Sequence, residues 1–396
     1  MKNLARVGFV VFAFVLFVGL ACGGGAKHTN ESDASPADDN DNDGSPDDDN
    51  DDNDSTADDD DNDDNDATAD DDSAVGPWTP MNSNTTVNLY GVWGSAGDDV
   101  YAVGYGPSDF HGTVMRYDGT SWTQFANVGE WPNAVWGTAH DDIYIVDGAP
   151  KGAVWHYDGS IWSEMNWVID ASLTSMWGSS SSDIFAVGTA FSDDDDDSAA
   201  NGNYAAVVRG AARSGKPKET ANSYGVILHY DGHDWTQMST QYVPGFLGIW
   251  GSAQSDVFAS GTFVYVLHYD GSSWSEMDTG GYGMAALWGD SNADVFGGDG
   301  AGVILRYNGS IWNATVAPAN FAASAIWGTS PSDVFAAGDH YPPEPVTGEI
   351  AHFDGSSWIT MSDNFPNVLA AVWGSGPSDV FAVGGNGMIV HYVGSR

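Results

Sequence analysis

Residues 369–385 read LAAVWGSGPSDVFAVGG, the last of seven versions of one unit. A Trp-Gly pair recurs at Trp93, Trp136, Trp177, Trp250, Trp288, Trp327 and Trp373. Six residues after each Trp stands an Asp, giving Asp99, Asp142, Asp183, Asp256, Asp294, Asp333 and Asp379. Val or Ile follows each Asp, and then Tyr or Phe. A unit this short cannot bury its own apolar face, so neighbouring copies must stack into one architecture.

Working outward, four β-prone segments recur in each unit. The first ends in Trp-Gly, with a small residue two positions before the Trp, such as Gly91, Ser175 or Ala371. The second is the DVFAVG run. The third ends in His or Arg, an aromatic, and Asp or Asn before Gly, as in His229-Tyr230-Asp231-Gly232. The fourth carries a Trp four residues past that Asp or Asn, at Trp122, Trp162, Trp235, Trp274, Trp312 and Trp358. Asp-Gly between β-prone runs signals a hairpin, because Gly accepts the positive φ of such turns. Four antiparallel strands every forty or so residues predict an all-β fold, a seven-bladed β-propeller. The last unit lacks a fourth segment, but Pro77-Trp78-Thr79-Pro80-Met81 matches it at the other end of the chain. Trp78 to Trp93 is fifteen residues, as is Trp358 to Trp373. The N-terminal strand 77–81 is therefore expected to join 368–392 as blade seven and close the ring.

The repeats resemble those of kelch, Asp-box and tectonin propellers. AVGG followed by NGMIVHY is kelch-like, YDGSSW resembles an Asp-box turn, and VWG followed by Asp-Val-Phe resembles the tectonin repeat, which belongs to lectin-associated propellers. Secreted bacterial lipoproteins with VWGSxxSDVFAVG-type arrays are also similar. That resemblance implies an exported, lipid-anchored ring and names no ligand.

The ends have a different composition. MKNLAR, the apolar run Val7 to Ala21 and then Cys22 describe an export signal, and fifteen residues are too few for a comfortable membrane span. Cys22 is the single Cys, so no intramolecular disulfide can form. Its place resembles a bacterial lipobox, with Gly19 where Leu is usual; this implies lipidation of Cys22, residues 1–22 being the signal and lipid-attachment Cys. Gly23 after the Cys implies, by the same resemblance, an outer-membrane or cell-surface location. Residues 23–73 hold Asp, Asn, Ser, Ala and Gly with no core former, the composition of a disordered acidic tether. The ring then occupies 74–396.

Charge excludes some partners. The chain has 56 acidic and 11 basic residues, a net charge of −45. Setting aside the twenty-two carboxylates of 31–72 with Lys2, Arg6 and Lys27 leaves thirty-four acidic and eight basic residues, −26 for the ring. Such a field repels nucleic acid and anionic membrane surfaces, so membrane contact is expected only through the anchor. The ring is expected to be a monomer without a cofactor. Calcium is an alternative, at Asp39, Asp41 and Asp43 in the tether or at Asp193, Asp195 and Asp197 further on. In the tether the twelfth-position ligand of a calcium loop would be Asn50, and nothing flanks the loop to hold it.

What repeats is scaffold, and what departs is the candidate site. Seven copies of one Asp are read as partners of Arg116, His156, His229, His268, Arg306, His352 and His391 at one end of the ring. The connections between second and third strands vary most, at Tyr105 to Gly112, Thr189 to Tyr224 and Asp339 to Gly348. The second of these is an insertion, 189–224, in blade three. In a propeller they emerge together with the blade-joining loops, and variable loops on a rigid scaffold are where binding sits. Asp147 and Asp299 stand where five blades have Gly, and Trp131 and Trp167 lie in blade-joining loops. With Asp109, His111, Asp339, His340 and Glu344 they form the candidate ligand site. A non-catalytic binding module for a glycan or an envelope protein follows. The alternatives are a glycosidase or lyase using a carboxylate pair among Asp109, Asp147, Asp299, Asp339 and Glu344, and a structural spacer.

Overall fold

The computed structural model describes residues 78–106, 111–165, 170–191, 223–240, 243–261, 265–299, 302–341 and 346–394, all within the unit Ala74–Arg396. The expected signal 1–22 with Cys22 and the expected tether 23–73 with Asp39, Asp41 and Asp43 lie outside the described residues, as do Asp109, Trp167, Asp193, Asp195, Asp197 and Glu344.

Seven four-stranded antiparallel sheets form the blades of a propeller. Blade one is typical: Asn88–Ala96 is innermost, followed outward by Asp99–Tyr105, Thr113–Tyr117 and Trp122–Asn127. The second strand of each blade is buried along its apolar run because it faces the blades on both sides. Alternate residues serve the two neighbours. Phe381 and Val383 of blade seven pack against Val100 and Ala102 of blade one, whereas Val380 and Ala382 pack against Phe335 and Ala337 of blade six. The DVFAVG run is thus two half-patterns at strand period two, one for each side.

The Trp-Gly pair joins the inner strands around the axis. Each indole lies over the Gly of the next blade. A Cβ on Gly94 would stand 2.6 Å from the ring of Trp373, and one on Gly137 would stand 2.7 Å from that of Trp93. The contact continues around the ring to Gly374, which meets Trp327. Only a residue without a side chain admits the neighbouring indole so closely.

Blade seven is completed from the other end of the chain. Trp78–Met81 pairs antiparallel with Ile389–Val393, Trp78 opposite Tyr392 and Met81 opposite Ile389. The sheet continues inward through Asp379–Gly384 to Leu369–Gly376. The Trp78 ring is buried, 5.5 Å from Tyr392 and edge-on at 6.4 Å to Phe335 of blade six. Trp274 and Trp358 make the same edge contact with Phe185 and Phe296 of their preceding blades.

The long connections are shorter than the sequence suggests. In blade three, Asp183–Phe191 stays paired to Ser223–Tyr230 out to Phe191 opposite Ser223, so residues 189–191 and 223–224 belong to the ladder and not to the insertion. In blade six His340 pairs with Thr347, which puts Asp339 and His340 on a strand. In blade one Tyr105 pairs with Asn88. Backbone pairing continues past the last apolar residue because the ladder needs only N–H and C=O groups.

Closure by Trp78–Met81 sets the stability of the ring. A chain starting at Asn82 should melt well below one starting at Ser73, and Trp78→Ala should fall similarly, since losing a large buried aromatic costs about 3–5 kcal/mol. Equal melting temperatures for the two truncations would show that the strand is dispensable.

Candidate functional site

The repeated carboxylates come first, because they hold most of the ionisable groups at one end of the ring. Asp142, Asp183, Asp256, Asp333 and Asp379 each meet the Nε2 of their own blade's His at 2.6–2.8 Å. That imidazole packs on the aromatic two residues after the Asp, stacked in the case of His391 on Phe381 with centroids 4.0 Å apart and tilted in the case of His352 on Phe335. Arg replaces His in blades one and five, with Arg116 Nε 2.8 Å from Asp99 Oδ1 and Arg306 gripping Asp294 through two bonds of 2.7 and 2.6 Å. The second Asp oxygen accepts from a hydroxyl four residues earlier, from Ser95, Thr138, Ser179, Ser252, Thr329 and Ser375. In blade five that position is Asp290, and the second Arg306 bond takes its place. Ser, His and Asp thus occur together repeatedly, but each hydroxyl donates to the carboxylate rather than to the imidazole. A nucleophilic relay needs the opposite order, so these groups tie strand ends together.

The Asp-Gly hairpins lie at the same end. Asp118, Asp158, Asp231, Asp270, Asn308 and Asp354 accept the N–H groups two and three residues on. Those donors hold the Asp354 carboxyl down at about 2. A cleft of about 300 Å³ opens here between blades one and two, lined by Tyr101, Arg116, Phe125, His140 and Tyr157. Its guanidinium is committed to Asp99, so it offers no unpaired cation.

Departures from the repeat gather at the other end, in two groups. The first lies between blades one and two. Asp147 is 3% exposed, and its carboxylate is turned inward. Oδ2 accepts the Glu130 N–H at 2.7 Å, and Oδ1 accepts those of Trp131 and Ala149 at 3.0 and 2.9 Å. Gly148 N donates to the Trp131 carbonyl at 2.8 Å. Asp147 and its neighbour therefore hold Trp131 from both sides of its backbone. The Trp131 ring, half-exposed, stacks on Tyr105 at 6.1 Å, and Tyr105 on Tyr90 at 4.7 Å. Burial first, then the neighbouring Tyr90 and the Asp147 charge, raise the Tyr105 phenol above its ordinary range. His111 is exposed next to Gly112, whose N–H donates to the Gly129 carbonyl at 3.0 Å, just before Glu130 and Trp131.

The second group lies on blades five and six, on the far side of the ring. Asp299 Oδ1 accepts the Val303 N–H at 2.6 Å. Asp339 is 9% exposed and its Oδ1 has no hydrogen-bond partner among the described residues. Burial alone pushes its carboxyl up to about 7. Burial and then the charges of Asp339 and Asp299 raise the Tyr341 phenol between them. His340 Nδ1 donates to the buried Glu349 at 2.7 Å, and Thr360 donates to the same carboxylate at 2.8 Å. The structure thus brings Trp131, Asp147 and His111 to one place, whereas Asp339 and His340 point to opposite faces of one strand and Asp299 meets Asp339 only through the Tyr341 phenol that feels both charges. Among the described residues no group of three or more His, Cys, Asp or Glu is arranged to hold a metal ion.

Tyr90 and Tyr105 were not candidates from sequence. The inner strands of blades one to four, six and seven carry a bulge between the positions four and two before the Trp, and Tyr90 is the bulged residue of blade one. Blades two and three put Asn133 and Thr174 there, each donating at 2.8 Å to a backbone carbonyl of the next inner strand. Tyr105 occupies the position six after the repeated Asp, where Asp339 stands in blade six. An aromatic at those two register positions was the available signal.

No protein-family model matches the chain, and no curated protein matches it in sequence. Similar solved structures include YCF48 bound to D1 peptide, 14% identical, covering 81% of this chain and 97% of that one with a TM-score of 0.57. YCF48 from Cyanidioschyzon merolae is 11% identical, covering 80% and 98%, with a TM-score of 0.56. The computationally designed Ika8 protein is 11% identical, covering 79% and 98%, with a TM-score of 0.51. These likenesses establish the propeller fold.

Asp339 gives the ring a pH dependence of definite sign. Its carboxyl binds a proton more tightly folded than unfolded, so its contribution to stability is complete below about pH 4 and is lost as pH rises through about 7. Between pH 5 and 8 the native ring should lose a few degrees of melting temperature relative to Asp339→Asn. Parallel melting profiles over that range would show that Asp339 is already ionised in the folded ring.

Proposed function

We propose that this chain is a non-catalytic binding propeller of the cell envelope, displayed on a lipid-anchored acidic tether, with a glycan or an envelope protein as its ligand. A propeller scaffold fits a binding or interaction role in general. The observation that carries the finer reading is the Tyr90–Tyr105–Trp131 stack, half-exposed at the loop end and fixed by the buried Asp147. An aromatic held in place before binding costs less to order on contact, which is how recognition surfaces gain affinity. At the hairpin end the aromatics of the cleft, Tyr101, Phe125 and Tyr157, pack edge-on against one another, and the Arg116 among them is committed to Asp99. One propeller of similar fold, YCF48, was solved bound to D1 peptide, which lends support to a protein ligand. Cys22 would be the anchor and 23–73 the spacer, as their composition suggests.

Pull-down from envelope extract with the ring, residues 74–396, should recover a ligand that Trp131→Ala loses. Recovery of nothing in either form would count against the binding reading. In the intact chain, Cys22→Ser should yield a product that no longer partitions into detergent. Unchanged membrane fractionation would remove the anchor from the proposal.

A carbohydrate-active enzyme is the second reading, and Asp339 is what favours it. A buried carboxyl that titrates near neutrality is suited to act as a general acid. Turnover of a polysaccharide by the ring, lost in Asp339→Asn and kept in Trp131→Ala, would replace the first reading with this one.

A further inference from the structure

We infer that the Trp131 end of the Tyr90–Tyr105–Trp131 stack is a recognition site for a cationic side chain, Arg or Lys, presented by a basic segment of a protein partner. The inference rests on the binding reading above and names the chemistry of the ligand. Tyr105 is the one ring stacked on Trp131 among the described residues, and it covers a single face of the indole. The other face belongs to a half-exposed side chain whose backbone is fixed at both N–H and C=O. Trp is the strongest of the aromatic partners for a cation, and the attraction grows as the ring is desolvated.

Charge selects the cation over a neutral sugar, which could stack on the same ring. Asp147 lies directly behind the loop. Three backbone N–H groups answer its carboxylate, and among the described residues no Lys, Arg or His pairs with it. Its negative field reaches the stack, because it contributes to holding the Tyr105 phenol protonated. Glu130, exposed and adjacent to Trp131, adds a second carboxylate of the same sign. Lys151 is the single basic residue of the 148–153 connection and is exposed in the turn beyond Asp147. The ring as a whole carries −26 by sequence, so a basic partner is drawn towards it and an anionic one turned away. A neutral glycan would gain a local hydrogen bond to Glu130 but nothing from the long-range field, which draws in only a cation.

The test uses the intact chain and a short synthetic peptide of alternating Arg and Gly, titrated at physiological salt. An equal-length Gln-Gly peptide and a neutral β-linked glucose oligomer serve as comparisons. The acidic tether will attract the Arg peptide in every variant alike, so the informative quantity is the change on mutation. Trp131→Ala should weaken the Arg peptide about tenfold and Trp131→Phe much less, as expected for loss of a cation–π partner. Glu130→Lys, which leaves the stack in place, should weaken it at least as much as Trp131→Ala. Unchanged affinity in Trp131→Ala and Glu130→Lys would overturn the inference. So would Trp131-dependent binding of the glucose oligomer, which would make the stack a sugar platform. If envelope extract still yields a ligand that Trp131→Ala retains, the binding function stands and this site assignment falls.

Discussion

The contact between one blade's indole and the next blade's glycine is the constraint from which most of the structure follows. It is made at the axis, where seven strands crowd together and side chains have least room. With Gly at that position, Trp373 can lie over Gly94 and Trp327 over Gly374. The same indoles lie close to the Tyr or Phe two residues after each Asp, as Trp373 does with Phe381. That ring in turn carries the His bonded to the Asp. One motif of Trp, Gly, Asp and aromatic therefore builds the axis, the blade-to-blade core and the strand ends together. This explains why its spacing is invariant while the connections at the opposite end vary.

The architecture was legible because its constraints recur. A hydrophobic pattern read once is ambiguous, but seven copies with one Trp-to-Asp interval leave a closed ring as the natural solution. The missing outer strand of blade seven was legible for the same reason, since Trp78 stands at the interval that Trp358 keeps. The candidate site was legible only in pieces. Asp147 and Trp131 stood out separately as departures. That one holds the other was not visible, because the bond spans sixteen residues across a blade-joining loop. Tyr90 and Tyr105 went unnoticed because aromatic residues are ordinary in strands, and only their register marks them. Asp299 and Asp147 looked equivalent, both replacing Gly, yet they belong to places on opposite sides of the ring.

Two carboxylates at this end show how position decides chemistry. Asp147 is more deeply buried than Asp339, but three N–H donors take the place of water around it. Asp339, by contrast, has an oxygen with no donor among the described residues and keeps its proton to near neutrality. The difference lies in the backbone each faces. Asp147 sits under a loop that turns its amides inward, whereas Asp339 projects from a strand whose amides are committed to the ladder.

Pairing Trp78–Met81 with Ile389–Val393 joins segments from the two ends of the described chain. The outer strand of blade seven is therefore made before every other described strand, and its partner after all of them. Blades one to six can each form from contiguous sequence as it emerges, but the first strand must wait with its edge and its indole unsatisfied. Pairings so distant in sequence are slow to find, and exposed edges are where chains associate wrongly. The ring's final step is thus a search by one short segment for a sheet that does not yet exist when that segment is made. Whatever shields residues 78–81 during that interval governs how much of the chain reaches the closed form.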